Sequence, residues 1–265
     1  MNALIKEKGG TFSLNKSEPI HRWYPYVEGY SSCLIAEELK KFLVLKPNIE
    51  TIYDPFCGTG TTSLVASTYG IESFYSESNP FMQTVIETKV NVVRMLDVNI
   101  AIPKLLEYRA LIRTIKIESF SSWNGFEKFF GESQLNELLT IKKLISQEDD
   151  VPVKCILTLA LSAIVVKVSK MTRRGDLRYA TEKEYREESV LDCFIDKLDE
   201  MICDIQYHKA MVKCGTTKVS DDARKNDYVN AFDCVITSPP YLNGTNYIRN
   251  TKLELKLNDF ILSEK

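Results

Sequence analysis

Histidine is almost missing from this chain: His21 and His208 are the only two in 265 residues. The seven cysteines, at positions 33, 57, 155, 193, 203, 214 and 234, form no CxxC pair and no cluster with histidine. This scatter excludes the usual zinc spacings, so no metal is expected. It also argues against a disulfide framework and for a reduced, cytoplasmic setting. Charge of one sign is lacking too: 34 Lys and Arg against 36 Asp and Glu leave a net charge of −2. Any basic binding surface must therefore be local. The N-terminal MNALIKEKGG contains no continuous apolar core, so no signal peptide is expected. The most apolar stretch, residues 155–166, falls short of the roughly 18 residues that a membrane span needs and reads as a buried helix. Neither GxGxxG nor GxxxxGK(S/T) occurs, which removes the nicotinamide fingerprint and the P-loop.

What is present is enough apolar material for a real core, with 44% hydrophobic and 26% charged residues. Leu34, Ile35, Leu39 and Phe42 recur at helical spacing. TIYDPFCGTGTT then reads as a short strand and a glycine loop, and SLVASTYG as a helix closed by Gly70. IESFYSE is a second strand, stopped by Asn79-Pro80, and a helical pattern returns over residues 81–94. Strand, loop, helix, strand, helix is the opening of a parallel α/β sheet. From about residue 96 to 211 the pattern is helical almost throughout. One amphipathic helix carries Leu135, Leu138, Leu139, Leu144 and Ile145. A longer one carries Val190, Leu191, Phe194, Ile195, Leu198, Met201, Ile202 and Ile205, with Thr181 and Glu184 as its expected capping box. CGTTKVSDDAR and FDCVITSPPY then resume the strand pattern. The expected organisation is a cofactor-binding part at 1–95, a helical insertion at 96–211, and the rest of the sheet domain at 212–265.

Two stretches carry chemistry. In DPFCGTGTT, residues 54–62, a turn between a strand and a helix presents free backbone amides, and Gly58 and Gly60 allow close approach. Glu77, 19 residues beyond Gly58, ends the next strand, near the usual interval for a carboxylate that grips ribose hydroxyls. In TSPPY, residues 237–241, the proline pair fixes φ and removes two donors. Carbonyl oxygens and the Ser238 hydroxyl remain to accept hydrogens from an amine, and Tyr241 offers a face for a planar ring. A flipped nucleobase with an exocyclic amine meets both demands. The bland alternatives are a tight turn for the first stretch and a strand-terminating turn for the second.

Together DPFCGTGTT and TSPPY resemble the amino-methylating DNA methyltransferases, which move a methyl group from S-adenosylmethionine to cytosine N4 or adenine N6. The likeness covers roughly residues 20–95 and 212–262. It implies an α/β fold with a Rossmann-like methyltransferase sheet, S-adenosylmethionine as cofactor and double-stranded DNA as partner, as in restriction-modification systems. By the resemblance Asp54, Phe56, Cys57, Gly58, Thr59, Gly60, Thr61 and Thr62 hold the methionine part of the cofactor and Glu77 the ribose. Asp222, in SDDAR, stands where the family often has GDAR and would reach the adenine amine. Residues 26–31 resemble the segment that folds over the cofactor, and Ser238, Pro239, Pro240 and Tyr241 the catalytic turn. Ser before the prolines favours cytosine N4 over adenine N6. Ser78 departs from the family, which tends to carry an apolar residue there against the adenine ring. Four strands are countable against the family's seven, and the chain runs 24 residues past Tyr241, so a second subunit is expected to supply the remainder.

Within the insertion, KVSKMTRRGDLRY gathers Lys167, Lys170, Arg173, Arg174 and Arg178, able to neutralise phosphates and to read guanine edges. A solvated helix end with a turn at Gly175 is the competing reading. Two other functions stay open: an RNA guanine-N2 methyltransferase, and a non-catalytic DNA-binding or regulatory remnant.

Overall fold

The computed structural model describes residues 10–26, 28–240 and 247–263. In chain order its principal elements are α1 (Ser32–Leu45), β1 (Thr51–Asp54), α2 (Thr61–Thr68), β2 (Glu72–Ser76) and α3 (Pro80–Glu87). Then follow α4 (Val98–Ile112), α5 (Glu132–Ser146), α6 (Val151–Ile164), β3 (Met171–Arg174), β4 (Asp176–Tyr179) and α7 (Val190–His208). The last are β5 (Thr216–Ser220), β6 (Cys234–Val235), α8 (Tyr247–Asn250) and α9 (Lys252–Leu257).

Two compact units divide the chain, Met1–Leu96 with Tyr207–Asn243, and Asp97–Gln206 with Gly244–Lys265. Residues 244–265 thus group with the helical unit, where the sequence reading had kept 212–265 whole. The first unit holds a four-stranded sheet in the order β5-β2-β1-β6, with every pairing parallel. The α/β architecture and its four strands are those expected.

Local chemistry explains the elements that frame the sheet. The Ser31 hydroxyl caps α1 by accepting from Leu34 N–H at 3.2 Å. Asn79 caps α3 through Phe81 N–H at 3.0 Å. Pro80 sits at the helix start, where an N–H has no partner to lose. Beyond α3 the chain continues through a π-helical turn, Thr88–Val92. Ile35 and Leu39 of α1, Ile52 of β1, Val65 and Ala66 of α2, and Cys234 and Ile236 form one apolar cluster. Phe42, expected on the same stripe, is exposed instead. On β1 the alternate residue Tyr53 stacks on Phe232, with ring centroids 4.8 Å apart.

Asp233 sets the register of the short β6. Its carboxylate accepts from Glu50 N–H at 3.0 Å and Thr51 N–H at 3.1 Å and pairs with Lys46, while its own N–H donates to the Thr51 hydroxyl at 3.0 Å. Cys234 therefore pairs with Ile52 and Val235 with Tyr53, so the carboxyl ends of β6 and β1 lie close together.

In the second unit α5 buries Leu135, Leu138, Leu139 and Ile145 with Leu144 half-buried, α6 is buried as its apolar run implied, and α7 buries the face read from its spacing apart from the half-buried Leu191. Two local details differ. α7 starts at Val190, where Asp192 N–H donates to the Ser189 hydroxyl at 3.2 Å. Thr181 and Glu184 do close on each other, with Thr181 N–H donating at 3.0 Å, but as a separate turn. Glu184 is held there because it also takes both terminal nitrogens of Arg178 at 2.9 Å. The basic stretch, for which a solvated helix end was the competing reading, contains an antiparallel hairpin, β3–β4, turning at Gly175 with φ of 87°. Its strands lack an apolar alternation, Leu177 being the buried residue of β4.

Candidate cofactor loop and catalytic turn

At β1 the order of the sheet reverses: β2 lies on one side and β6, a later strand, on the other. In open parallel sheets such a switch point leaves a crevice at the carboxyl ends of the strands. The loop after β1 is DPFCGTGTT and the one after β6 is TSPP, so the fold brings both stretches to that crevice. They are joined there by Asp54, whose Oδ1 accepts from the Thr237 hydroxyl at 2.7 Å.

The glycine loop is built for close approach. Gly58 and Gly60 both have positive φ, 55° and 78°. A Cβ on Gly58 would lie 3.1 Å from the ring of Tyr26, and one on Gly60 the same distance from Ile86. Gly60 N–H donates back to Cys57 O at 3.0 Å and Cys57 N–H to Ser76 O at 3.3 Å, tying the loop to the end of β2. Thr59, Thr61 and Thr62 are buried, as is Cys57, whose thiol burial pushes far above its ordinary range. A thiol held protonated in this way is a poor nucleophile. Phe56 is 40% exposed at the loop. Beneath it the buried Lys89 ammonium donates to Thr59 O at 3.4 Å and His21 O at 3.2 Å. Desolvation, with Lys89 adding repulsion, lowers His21 to about 3, so this imidazole stays neutral.

Glu77 stands just past β2. One carboxylate oxygen accepts from Gly58 N–H at 2.9 Å and the other from Asn79 N–H at 2.8 Å. Burial pushes its carboxyl up to about 6, against the pull of those backbone amides. A carboxylate offers about four acceptor positions, so capacity remains for ligand hydroxyls. Gln83, which the sequence reading passed over, donates to Glu77 O at 2.6 Å and to Asp221 at 2.8 Å. Asp222 has a different setting: it caps the turn Ala223–Lys225 and takes the Arg224 guanidinium on both oxygens, at 2.9 and 2.8 Å. Ser78 is exposed.

In the second loop Ser238 is partly buried and Pro239 and Pro240 are exposed. Tyr241 lies outside the described residues. The segment at 26–31 reaches the glycine loop: beside the Tyr26 contact, the Tyr30 hydroxyl donates to Asp54 Oδ2 at 2.8 Å. Tyr30 and Thr237 are the two functional candidates that the sequence did not single out. Thr237 stood in the quoted motif, and Tyr30 in the segment matched only by resemblance.

The basic residues of the second unit are spread over different environments. Arg173 is 12% exposed and bonded to Glu254, itself 1% exposed, at 2.6 Å. Arg178 is engaged by Glu184, Lys167 lies 3.9 Å from Glu188, Lys170 is exposed, and Arg174 closes β3. Among the described residues no group of His, Cys, Asp or Glu is placed to hold a metal, and no helix is long and apolar enough to cross a membrane.

No family model matches the chain, and no solved structure matches it significantly. Curated relatives do. The chain is 28% identical over 288 residues to the Type II methyltransferase M.BsoBI of Geobacillus stearothermophilus, covering 92% of this chain and 54% of that protein. It is 25% identical over 284 residues to the Type II methyltransferase M.AvaI of Anabaena variabilis, covering 96% and 57%. To the Type II methyltransferase M.MvaI of Kocuria varians it is 27% identical over 258 residues, covering 88% and 55%. Nearly the whole chain is therefore homologous to Type II methyltransferases, and it spans about half the length of these relatives.

Proposed function

We propose that this chain carries the cofactor loop and catalytic turn of an S-adenosylmethionine-dependent DNA methyltransferase acting on an exocyclic amine, cytosine N4 in preference to adenine N6. The observation that carries the reading is the Thr237–Asp54 hydrogen bond, which brings the TSPP stretch to the glycine loop across 183 residues of sequence. The residues present suit the cofactor. Gly58 and Gly60 take positive φ and let the loop pack against Tyr26 and Ile86, the loop opens into α2, and Glu77 keeps free acceptor capacity.

Residues 54–62 hold the methionine portion and Glu77 the ribose. The bound cofactor supplies an electrophilic methyl on a sulfonium. Ser238 and the Pro239 carbonyl accept the two hydrogens of the target amine and turn its lone pair toward that methyl. Catalysis then rests on positioning and electrostatics, without a covalent intermediate. The protonated, buried Cys57 has no part in it. Double-stranded DNA is the proposed partner, with Lys167, Lys170, Arg173, Arg174 and Arg178 as candidates for contact. Lys167, Lys170 and Arg178 are exposed, as phosphate binding requires, and Arg178 is also paired with Glu184. A second subunit or further sequence supplying more strands also belongs to this reading.

The test is calorimetric titration of S-adenosylmethionine, followed by transfer of labelled methyl to duplex DNA and analysis of the digested nucleosides. Saturable binding and label in N4-methyldeoxycytidine are expected, with the label lost in Ser238→Ala and the binding kept. Label in N6-methyldeoxyadenosine would correct the target base. Label transferred to RNA but not to DNA when both are offered, or no binding of S-adenosylmethionine, would refute the reading.

A further inference from the structure

We propose that Tyr30 and Thr237 are positioning residues that act through Asp54, whose carboxylate links the glycine loop mechanically to the Ser238 turn. Asp54 is the last residue of β1 and is 1% exposed. Its Oδ1 accepts from Phe56 N–H at 3.1 Å and from the Thr237 hydroxyl at 2.7 Å, and its Oδ2 accepts from the Tyr30 hydroxyl at 2.8 Å. The Tyr30 hydroxyl also meets that of Thr62, the second residue of α2. Three of roughly four acceptor positions are thus filled from within the protein. A carboxylate so occupied and so buried acts as a brace, whereas Glu77 keeps acceptor capacity for a ligand.

What the brace joins gives it its meaning. Phe56 begins the glycine loop, Tyr30 belongs to the segment whose Tyr26 ring lies against Gly58, and Thr237 directly precedes Ser238. An ionised carboxylate only accepts, so each hydroxyl must donate, and the direction of each side chain is set. Thr is stiff about its first side-chain torsion. Fixing its hydroxyl on Asp54 therefore fixes where the backbone enters Ser238. At the other end of β6, Asp233 locks the strand to Thr51. The strand is pinned at both ends, and its far pin is the one that touches the loop. Burial raises the Asp54 carboxyl above its ordinary range, opposed by the hydroxyl donors and Phe56 N–H that converge on it from three segments.

The roles of the two loops rest on the function proposed above, whereas the brace itself does not, and the experiment separates them. Amide hydrogen exchange is measured on the ligand-free chain for wild type, Thr237→Val, Thr237→Ser and Tyr30→Phe, then repeated with S-adenosylmethionine. In the ligand-free chain Thr237→Val should speed exchange over residues 234–238 about tenfold, as expected for losing a hydrogen bond to a charged group. Thr237→Ser should stay near wild type, and the amides of β2 and β5 should not change. Tyr30→Phe should loosen residues 26–31 and the glycine loop, leaving β5 unaffected. With cofactor, wild type should gain protection at residues 234–238, and Thr237→Val should bind with affinity within about threefold of wild type yet lose that gain. Unchanged exchange in Thr237→Val, or equal acceleration across the whole sheet, would overturn the brace. Cofactor protection surviving in Thr237→Val would overturn the coupling. Failure of wild type to bind would count against the proposed function, while the ligand-free comparison still decides the brace.

Discussion

Glu77 is expected to drive stability and cofactor affinity in opposite directions as pH changes. Its carboxyl is raised by burial from an ordinary 4.5 to about 6. The folded chain therefore holds this proton more tightly than the unfolded chain. The stabilisation this gives is complete below the unfolded value and is lost as pH rises through the folded one. A difference of about 1.5 pK units corresponds to about 2 kcal/mol once both states are ionised, of which about 1 kcal/mol falls between pH 5 and pH 7. Ribose recognition needs the ionised form. With half-ionisation at about 6, affinity for S-adenosylmethionine should fall about tenfold from pH 7 to pH 5. The measurements are urea unfolding and calorimetric titration at both pH values, on wild type and Glu77→Gln. Glutamine offers one acceptor oxygen to two backbone N–H groups, so the variant should be less stable at either pH. Its distinguishing property is that its stability and residual affinity should lack the wild-type change between the two. An affinity independent of pH in wild type, or identical pH profiles in wild type and variant, would refute the assignment of Glu77 to the ribose.

Two further perturbations have defined outcomes. Gly60→Ala places a Cβ 3.1 Å from Ile86 at a φ of 78°; it should destabilise the first unit by about 1–2 kcal/mol and weaken cofactor binding, read by thermal melting and titration. Arg173→Met removes the guanidinium that faces the buried Glu254 and should lower stability by about 3–5 kcal/mol. Arg178→Ala, at an exposed pair, should barely move the melting temperature. Equal effects of these two substitutions would contradict the burial difference between their partners.

Much of the site was legible because its chemistry is local. Positive φ at Gly58 and Gly60, a helix start at Asn79-Pro80 and a stiff proline pair each depend on neighbours along the chain, so the sequence could announce them. Hydrophobic spacing likewise located α5 and α7, since burial along a helix repeats with a fixed period. The β3–β4 hairpin was hidden because its strands are polar and lack alternation, and its stability comes from partners such as Asn250, which accepts from Leu177 N–H at 2.9 Å. Thr181 and Glu184 formed their box, but Arg178 drew Glu184 into a turn before the helix.

By itself, then, the sequence determined the parallel α/β class, the two loops and the carboxylate after β2, because each is set by steric and hydrogen-bonding preferences within a few residues. Only the tertiary structure decided that Asp54 is shared between Tyr30 and Thr237 and that Arg173 is spent on Glu254. Those choices arise where side chains compete for partners, and for Tyr30, Thr237 and Arg173 the winning partner lies 24, 183 and 81 residues away along the chain.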